Sequence, residues 1–215
     1  MFLSTEPGSP EGRCGVIRRL AKTSHKRLAA FGQANDGVAA IEFAMIVPIM
    51  VMLFFGSVEF SQALTVDRRI TQVASSTADL VAQTDKITTT DLNDIMNIVG
   101  SIIKPYSVAP MKVSISSVKK IDNNSPLVVW SYGYNGGATY SGNYSGMPAG
   151  LIDNPVTGGT SSVIVAEVSY NFVPTIAQFL KGGVTLSEKF YLKPRKSLCV
   201  WKLDAPAPAG TSMCG

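Results

Sequence analysis

From residue 38 to residue 64 the chain reads VAAIEFAMIVPIMVMLFFGSVEFSQAL, and no charge stands between Glu42 and Glu59. At about 1.5 Å per helical residue those two carboxylates lie roughly 25 Å apart, close to the thickness of a bilayer's hydrocarbon core. A core helix of a soluble protein keeps a polar face over that many turns, and this run has none. The pattern predicts a membrane-spanning helix, kinked where Pro48 removes one backbone hydrogen bond. Gly56 is tolerated there and allows close packing on a neighbour. Glu59 is read as a positional carboxylate at the far interface. Glu42, where the helix enters the bilayer, is costly without a partner, and a plain anchor does not need it.

Beyond residue 64 the apolar residues thin to one side. Val66, Ile70, Val73, Thr77, Leu80 and Val81 recur at helical spacing among Asp67, Arg68, Arg69, Gln72 and Asp79, so the helix is expected to continue as an amphipathic one to about Gln83. Thr88-Thr89-Thr90 offers an N-cap for a second helix with Asp91 and Asp94 in its first turn. Leu92, Ile95, Met96, Val99, Ile102 and Ile103 form its buried stripe, and Pro105 closes it. From residue 111 the period changes to two. Strands are expected over 111 to about 121, 127–132, 162–172 and 185–192, with a helical turn over 176–180 and a long irregular Gly/Tyr/Ser/Asn loop over 133–161. The expected fold class is therefore α+β: a long N-terminal transmembrane helix continuing into an amphipathic helix, a second helix, then an antiparallel β-sheet domain. The organisation is a basic leader over 1–37, a span over 38–64, an exported domain over 65–204 and a flexible Pro/Ala tail over 205–215.

Composition sharpens this organisation. With 215 residues, 16% of them charged, and a mean hydropathy of +0.20, the chain has room for one anchor and one modest folded domain. Six basic residues (Arg13, Arg18, Arg19, Lys22, Lys26, Arg27) less three acidic ones before residue 38 leave +3 of the chain's +4. The positive charge belongs to the flank and gives no nucleic-acid surface. By the positive-inside rule the flank stays cytoplasmic and the C-terminal part crosses. Within the flank, Val16, Leu20, Leu28 and Phe31 are compatible with an amphipathic helix on the inner membrane surface and equally with disorder. No small-x-small cleavage site follows the apolar run, so this is not an ordinary signal peptide. Cys14 then falls on the reducing side, and Cys199 and Cys214 on the side where a disulfide persists. A Cys199–Cys214 bridge is compatible with that placement, as is a free or intermolecular thiol.

Catalytic chemistry is sparse. His25, the sole histidine, stands on the flank, which leaves the exported domain without a histidine triad or a histidine-ligated metal. No Gly-x-Ser-x-Gly elbow, phosphate-binding glycine loop or Cys-x-x-Cys pair occurs. No catalytic, cofactor-binding or metal-ligating residue is assigned, and no cofactor is expected. Asp153 and Glu167 read as solvated or paired carboxylates. Tyr132, Tyr134, Tyr140 and Tyr144 read as props for the long loop, with a sticky protein- or sugar-binding surface as the alternative.

Gly37, then Val38-Ala39-Ala40-Ile41, then Glu42-Phe43 resembles the processing site of type IV prepilins. The wider run, with Val47-Pro48 and Phe55-Gly56-Ser57-Val58-Glu59-Phe60, resembles the TadE-like proteins of the tight-adherence (Flp, type IVb) pilus system, and Phe190-Tyr191-Leu192-Lys193-Pro194-Arg195 echoes a segment near the end of their exported domains. The resemblance implies cleavage after Gly37 by a prepilin peptidase of the bacterial inner membrane, with Val38 as the new N-terminus and Gly37, Val38, Glu42 and Phe43 as the processing site. It also gives Glu42 an assembly role, meeting the N-terminal amine of a neighbouring subunit. The expected partners are the peptidase, other pilus components and pilins, and the inner membrane. The exported domain is too large for the main pilin of such a system, and no Asp-x-Ser-x-Ser metal motif is present, which leaves a minor pilin or pseudopilin. The alternative is an uncleaved single-pass anchor presenting a periplasmic ligand-binding or enzymatic domain.

Overall fold

A computed structural model of the chain describes residues 36–120, 126–152, 162–174 and 183–205. It shows the α+β class read from the pattern: a long apolar helix, a second helix, then an antiparallel sheet. By their contacts the residues form two units, one ending at Phe54 and the other beginning at Phe55.

Helix α1 covers Asp36–Ala82 with Pro48 inside it. It contains an 18-residue window of mean hydropathy 2.5, none of it buried, so it is long and apolar enough to cross a membrane. In the first unit the large apolar side chains from Val38 to Phe54 are 46% to 71% exposed, apart from the half-buried Val47. No water-soluble surface would present such a belt.

The second unit begins with the rest of α1. Val66, Ile70, Val73, Ala74, Ala78, Val81 and Ala82 are buried at helical spacing. The helix ends at Ala82, one residue short of expectation. A two-residue strand β1 (Lys86–Ile87) leads to helix α2 (Thr89–Val99). Thr88 caps α2 as its sequence suggested: the Thr88 hydroxyl accepts from Asp91 N–H at 3.2 Å, and Asp91 accepts from Thr88 N–H at 2.8 Å. The buried stripe is Leu92, Met96 and Val99, with Ile95 half-buried. The helix stops at Val99 instead of running to Pro105, and the turns after Gly100 carry Ile102 and Ile103 into the core.

Arg69 explains how those turns are held. Its guanidinium donates to the carbonyls of Ile102, at 2.8 Å, and Lys104, and it sits 5.9 Å from the Tyr106 ring centre. Carbonyls of the turns that follow α2 are thus satisfied by a cation from α1.

Four strands follow: β2 (Met111–Lys119), β3 (Leu127–Tyr134), β4 (Ser162–Phe172) and β5 (Val184–Leu192). They form one antiparallel sheet in the order β3-β2-β4-β5. The first strand stops before the expected Ile121, and β3 extends through Gly133 and Tyr134, so Tyr132 and Tyr134 are strand residues. The helical turn expected over 176–180 lies outside the described residues.

Alternation along β4 puts Ile164, Val168, Tyr170 and Phe172 into the main core with α1 and α2, and Val163 and Val165 into a second cluster on the other face. That second cluster is closed by the loop over 135–152 through Tyr144 and Ile152. The loop is seated tightly, since a Cβ on Gly137 would lie 2.0 Å from Val113 O.

The last strand, β6 (Trp201–Lys202), pairs in parallel with β1. Neither two-residue strand shows in the pattern, because such short pairings are imposed by tertiary contacts. Arg195 N–H donates to Ala82 O at 2.8 Å, Trp130 Nε1–H to Val200 O at 2.8 Å, and Lys202 to the Thr89 hydroxyl at 2.9 Å. The C-terminal segment therefore straps α1, α2 and the sheet together.

Candidate functional site

The residues singled out for processing lie together at the head of α1. Gly37, Val38, Glu42 and Phe43 all fall in its first two turns. Val38 is 54% exposed, Phe43 is 67% exposed, and Glu42 is exposed as well. Helical geometry puts Val38 and Glu42 on one face, with Cβ atoms about 6 Å apart. A Cβ placed on Gly37 meets nothing within 4 Å. Packing in this chain therefore does not require glycine there, and in a helix glycine costs about 0.5–1 kcal/mol relative to alanine. A requirement for glycine has to come from outside the fold.

Glu59 departs from the reading given to it. It is 1% exposed, on the stripe that continues through Val66, Ile70 and Val73 into the core of the second unit. It is no interfacial carboxylate in water. The stripe of small and apolar residues after it is visible in the sequence, and counting back seven from Val66 reaches Glu59.

Cys199 is buried and disulfide-bonded. Cys214 lies outside the described residues, as do Cys14 and Asp153.

A second polar cluster sits on the outer face of the sheet. Glu167 of β4 accepts from the hydroxyls of Tyr140 (2.6 Å) and Tyr144, and pairs with Lys189 of β5 at 3.0 Å. Lys189 is also its cross-strand neighbour. Burial alone would raise the Glu167 carboxyl, but the two tyrosine hydrogen bonds and Lys189 outweigh it and leave its pKa lowered. The hydrogen bond to Glu167, then burial, pushes Tyr140 up to about 12. Burial, then the same carboxylate, raises Tyr144 as well. These groups hold each other in their resting forms, with hydroxyls protonated and carboxylate ionised. That suits a clasp holding the loop to the sheet and gives no poised acid or base. An open groove of about 280 Å³ borders the cluster, lined by Lys112, Ser114, Gly137 and Glu167 among others. Among the described residues no three His, Cys, Asp or Glu side chains converge to hold a metal ion.

Tyr140 and Tyr144 thus prop the loop, through a carboxylate that the sequence showed only as a charge in a strand. The Lys202–Asp204 pair at 3.1 Å, bonded to Thr89, was not foreseen; its signal, two charges after a buried hydrophobic pair, is too weak to read.

Residues 37–79 match the family model of TadE-like proteins. No curated protein and no solved structure matches the chain.

Proposed function

With a TadE-like segment over residues 37–79 as the premise, we propose that the chain is a pseudopilin or minor pilin in the assembly of a tight-adherence (Flp, type IVb) pilus, cut after Gly37 by a prepilin peptidase. The observation that carries this reading is the head of α1. A glycine that packing does not require stands five residues before a carboxylate, at the start of a helix exposed all round.

The cut would free the amine of Val38 one helical turn from Glu42. In a low-dielectric surrounding the amine and the carboxylate offset much of each other's desolvation cost. The Glu42 carboxylate is then the group that meets the amine of a neighbouring subunit and sets its register in a stack. The chemistry of cleavage belongs to the peptidase, and this chain is substrate and building block. The basic flank stays cytoplasmic and the α+β domain stands in the periplasm. A disulfide at Cys199 supports an oxidising compartment. We assign its partner as Cys214, because Cys14 lies on the other side of the bilayer in this topology.

Co-expression with the cognate peptidase and intact-mass measurement tests the reading. The expected product begins at Val38, and Gly37→Ala keeps the full mass. A full-length N-terminus in the presence of a peptidase that cuts its own pilin overturns it in favour of the uncleaved anchor.

A further inference from the structure

The sheet ends differently on its two sides. Beyond β3 the loop turns back along the edge: Val128 N–H donates to Gly142 O at 2.9 Å and Tyr144 N–H to Pro126 O at 2.7 Å, around an antiparallel bridge between Leu127 and Asn143. Beyond β5, among the described residues, no strand follows and no backbone bond leads to another element. β5 runs in register with β4 from Phe172↔Val184 to Ile164↔Leu192 without a shift. It has no proline and no bulge, so its outward N–H and C=O groups are a template for one more strand, and the features that restrict what pairs there are the charges of Glu188 and Lys189.

The side chains say what kind of strand fits. Val184, Leu186, Glu188, Phe190 and Leu192 point to the helix side of the sheet, all half-buried, and Leu186 and Phe190 pack on the main core. Glu188 interrupts this apolar row opposite buried Val168, and among the described residues it makes no ion pair. A second copy is a poor occupant. An antiparallel self-pairing that sets Leu186 against Phe190 and Val184 against Leu192 also sets Glu188 against Glu188. Of the two neighbouring registers, one sets Lys189 against Lys189, and the other sets Glu188 against Leu186 and leaves the carboxylate without a cation opposite. Like charges directly opposite are destabilising.

We propose that the outer edge of β5 is a strand-acceptor site for a segment of a different polypeptide, extended, apolar at alternate positions, and carrying a Lys or Arg opposite Glu188. Glu188 has two effects from one position: it disfavours a second copy and selects the basic partner. The site stands whether or not residue 37 is cut.

The nine-residue peptide with the β5 sequence and its Glu188→Lys variant serve as probes, titrated into the full-length protein in detergent micelles. The Lys variant is expected to bind about five- to tenfold more tightly, from the gain of one cross-strand charge pair and the loss of one repulsion. Glu188→Lys in the protein is expected to invert the preference, and Glu188→Gln, the milder change, to erase it. Hydrogen exchange of alternate β5 amides should slow in the complex. Binding of neither peptide, an unchanged preference in the folded Glu188→Gln protein, or binding without β5 protection overturns the proposal and leaves Glu188 as a guard against edge pairing.

Discussion

The two halves of α1 are built from much the same apolar residues, and they face opposite surroundings. In the first, Ile46 and Leu53 are 52% and 70% exposed; in the second, Ile70 and Val73 are fully buried. What separates them is the company these residues keep. Before Glu59 the helix is apolar all round and has no face to turn inward. After it, polar residues take up the outer positions and the apolar ones fall on a single stripe. Hydropathy alone marks both halves, and periodicity tells lipid-facing from protein-facing.

The difference has a direct mutational consequence, and it is the largest predicted here. Ile70→Ala removes a fully buried side chain from the main core, and is expected to destabilise the α+β unit by about 2–5 kcal/mol. Ile46→Ala, the same chemical change twenty-four residues earlier, is expected to leave the unfolding of that unit within about 0.5 kcal/mol of wild type. Chemical denaturation of the full chain in detergent, followed by the near-ultraviolet signal of the folded unit, checks both. Equal effects would show that the two halves share one environment.

The carboxylates divide in the same way. Glu59 is 1% exposed, so Glu59→Ala is expected to cost about 1–3 kcal/mol through the buried polar group it leaves behind. Glu42 is exposed, and Glu42→Ala should leave stability unchanged, permit processing after Gly37, and stop incorporation into the pilus. Normal piliation in that variant would remove the assembly role assigned to Glu42. A stability loss as large as that of Glu59→Ala would contradict its exposure.

How legible this was follows from where the determinants lie. Helix α1, the capped start of α2 and strand β4 were readable because each declares itself by local period and cap. The head of α1 was readable because spacing along one helix fixes its geometry. Glu59 was misplaced because its environment depends on a domain folding back on α1, which charge and hydropathy do not report. β1, β6 and the Arg69 contacts were missed for the same reason, since each joins residues distant in the chain. The clasp at Glu167 was half legible: the tyrosines were seen and given a propping role, but not the carboxylate that receives them.

Glu167 is the third kind of carboxylate, partly buried and hydrogen-bonded, and its effect should fall between those of Glu59 and Glu42. Tyr144→Phe removes one hydrogen bond to it and is expected to cost about 1 kcal/mol. The pH dependence gives the finer test. The folded pKa of Glu167 is held below its ordinary 4.5, so its contribution to stability is complete above that value and is lost as pH falls through the folded pKa. Tyr140 works in the other direction. Its hydroxyl is pushed from 10.0 up to about 12, so its contribution is complete below pH 10 and is lost as pH rises through 12. Glu167→Gln removes the charge responsible for both. Tyrosinate absorbance should then show one tyrosine returning toward its ordinary titration, and the acid limb of the stability profile should flatten. A wild-type alkaline titration in Glu167→Gln would mean that burial, and not the carboxylate, holds the Tyr140 proton.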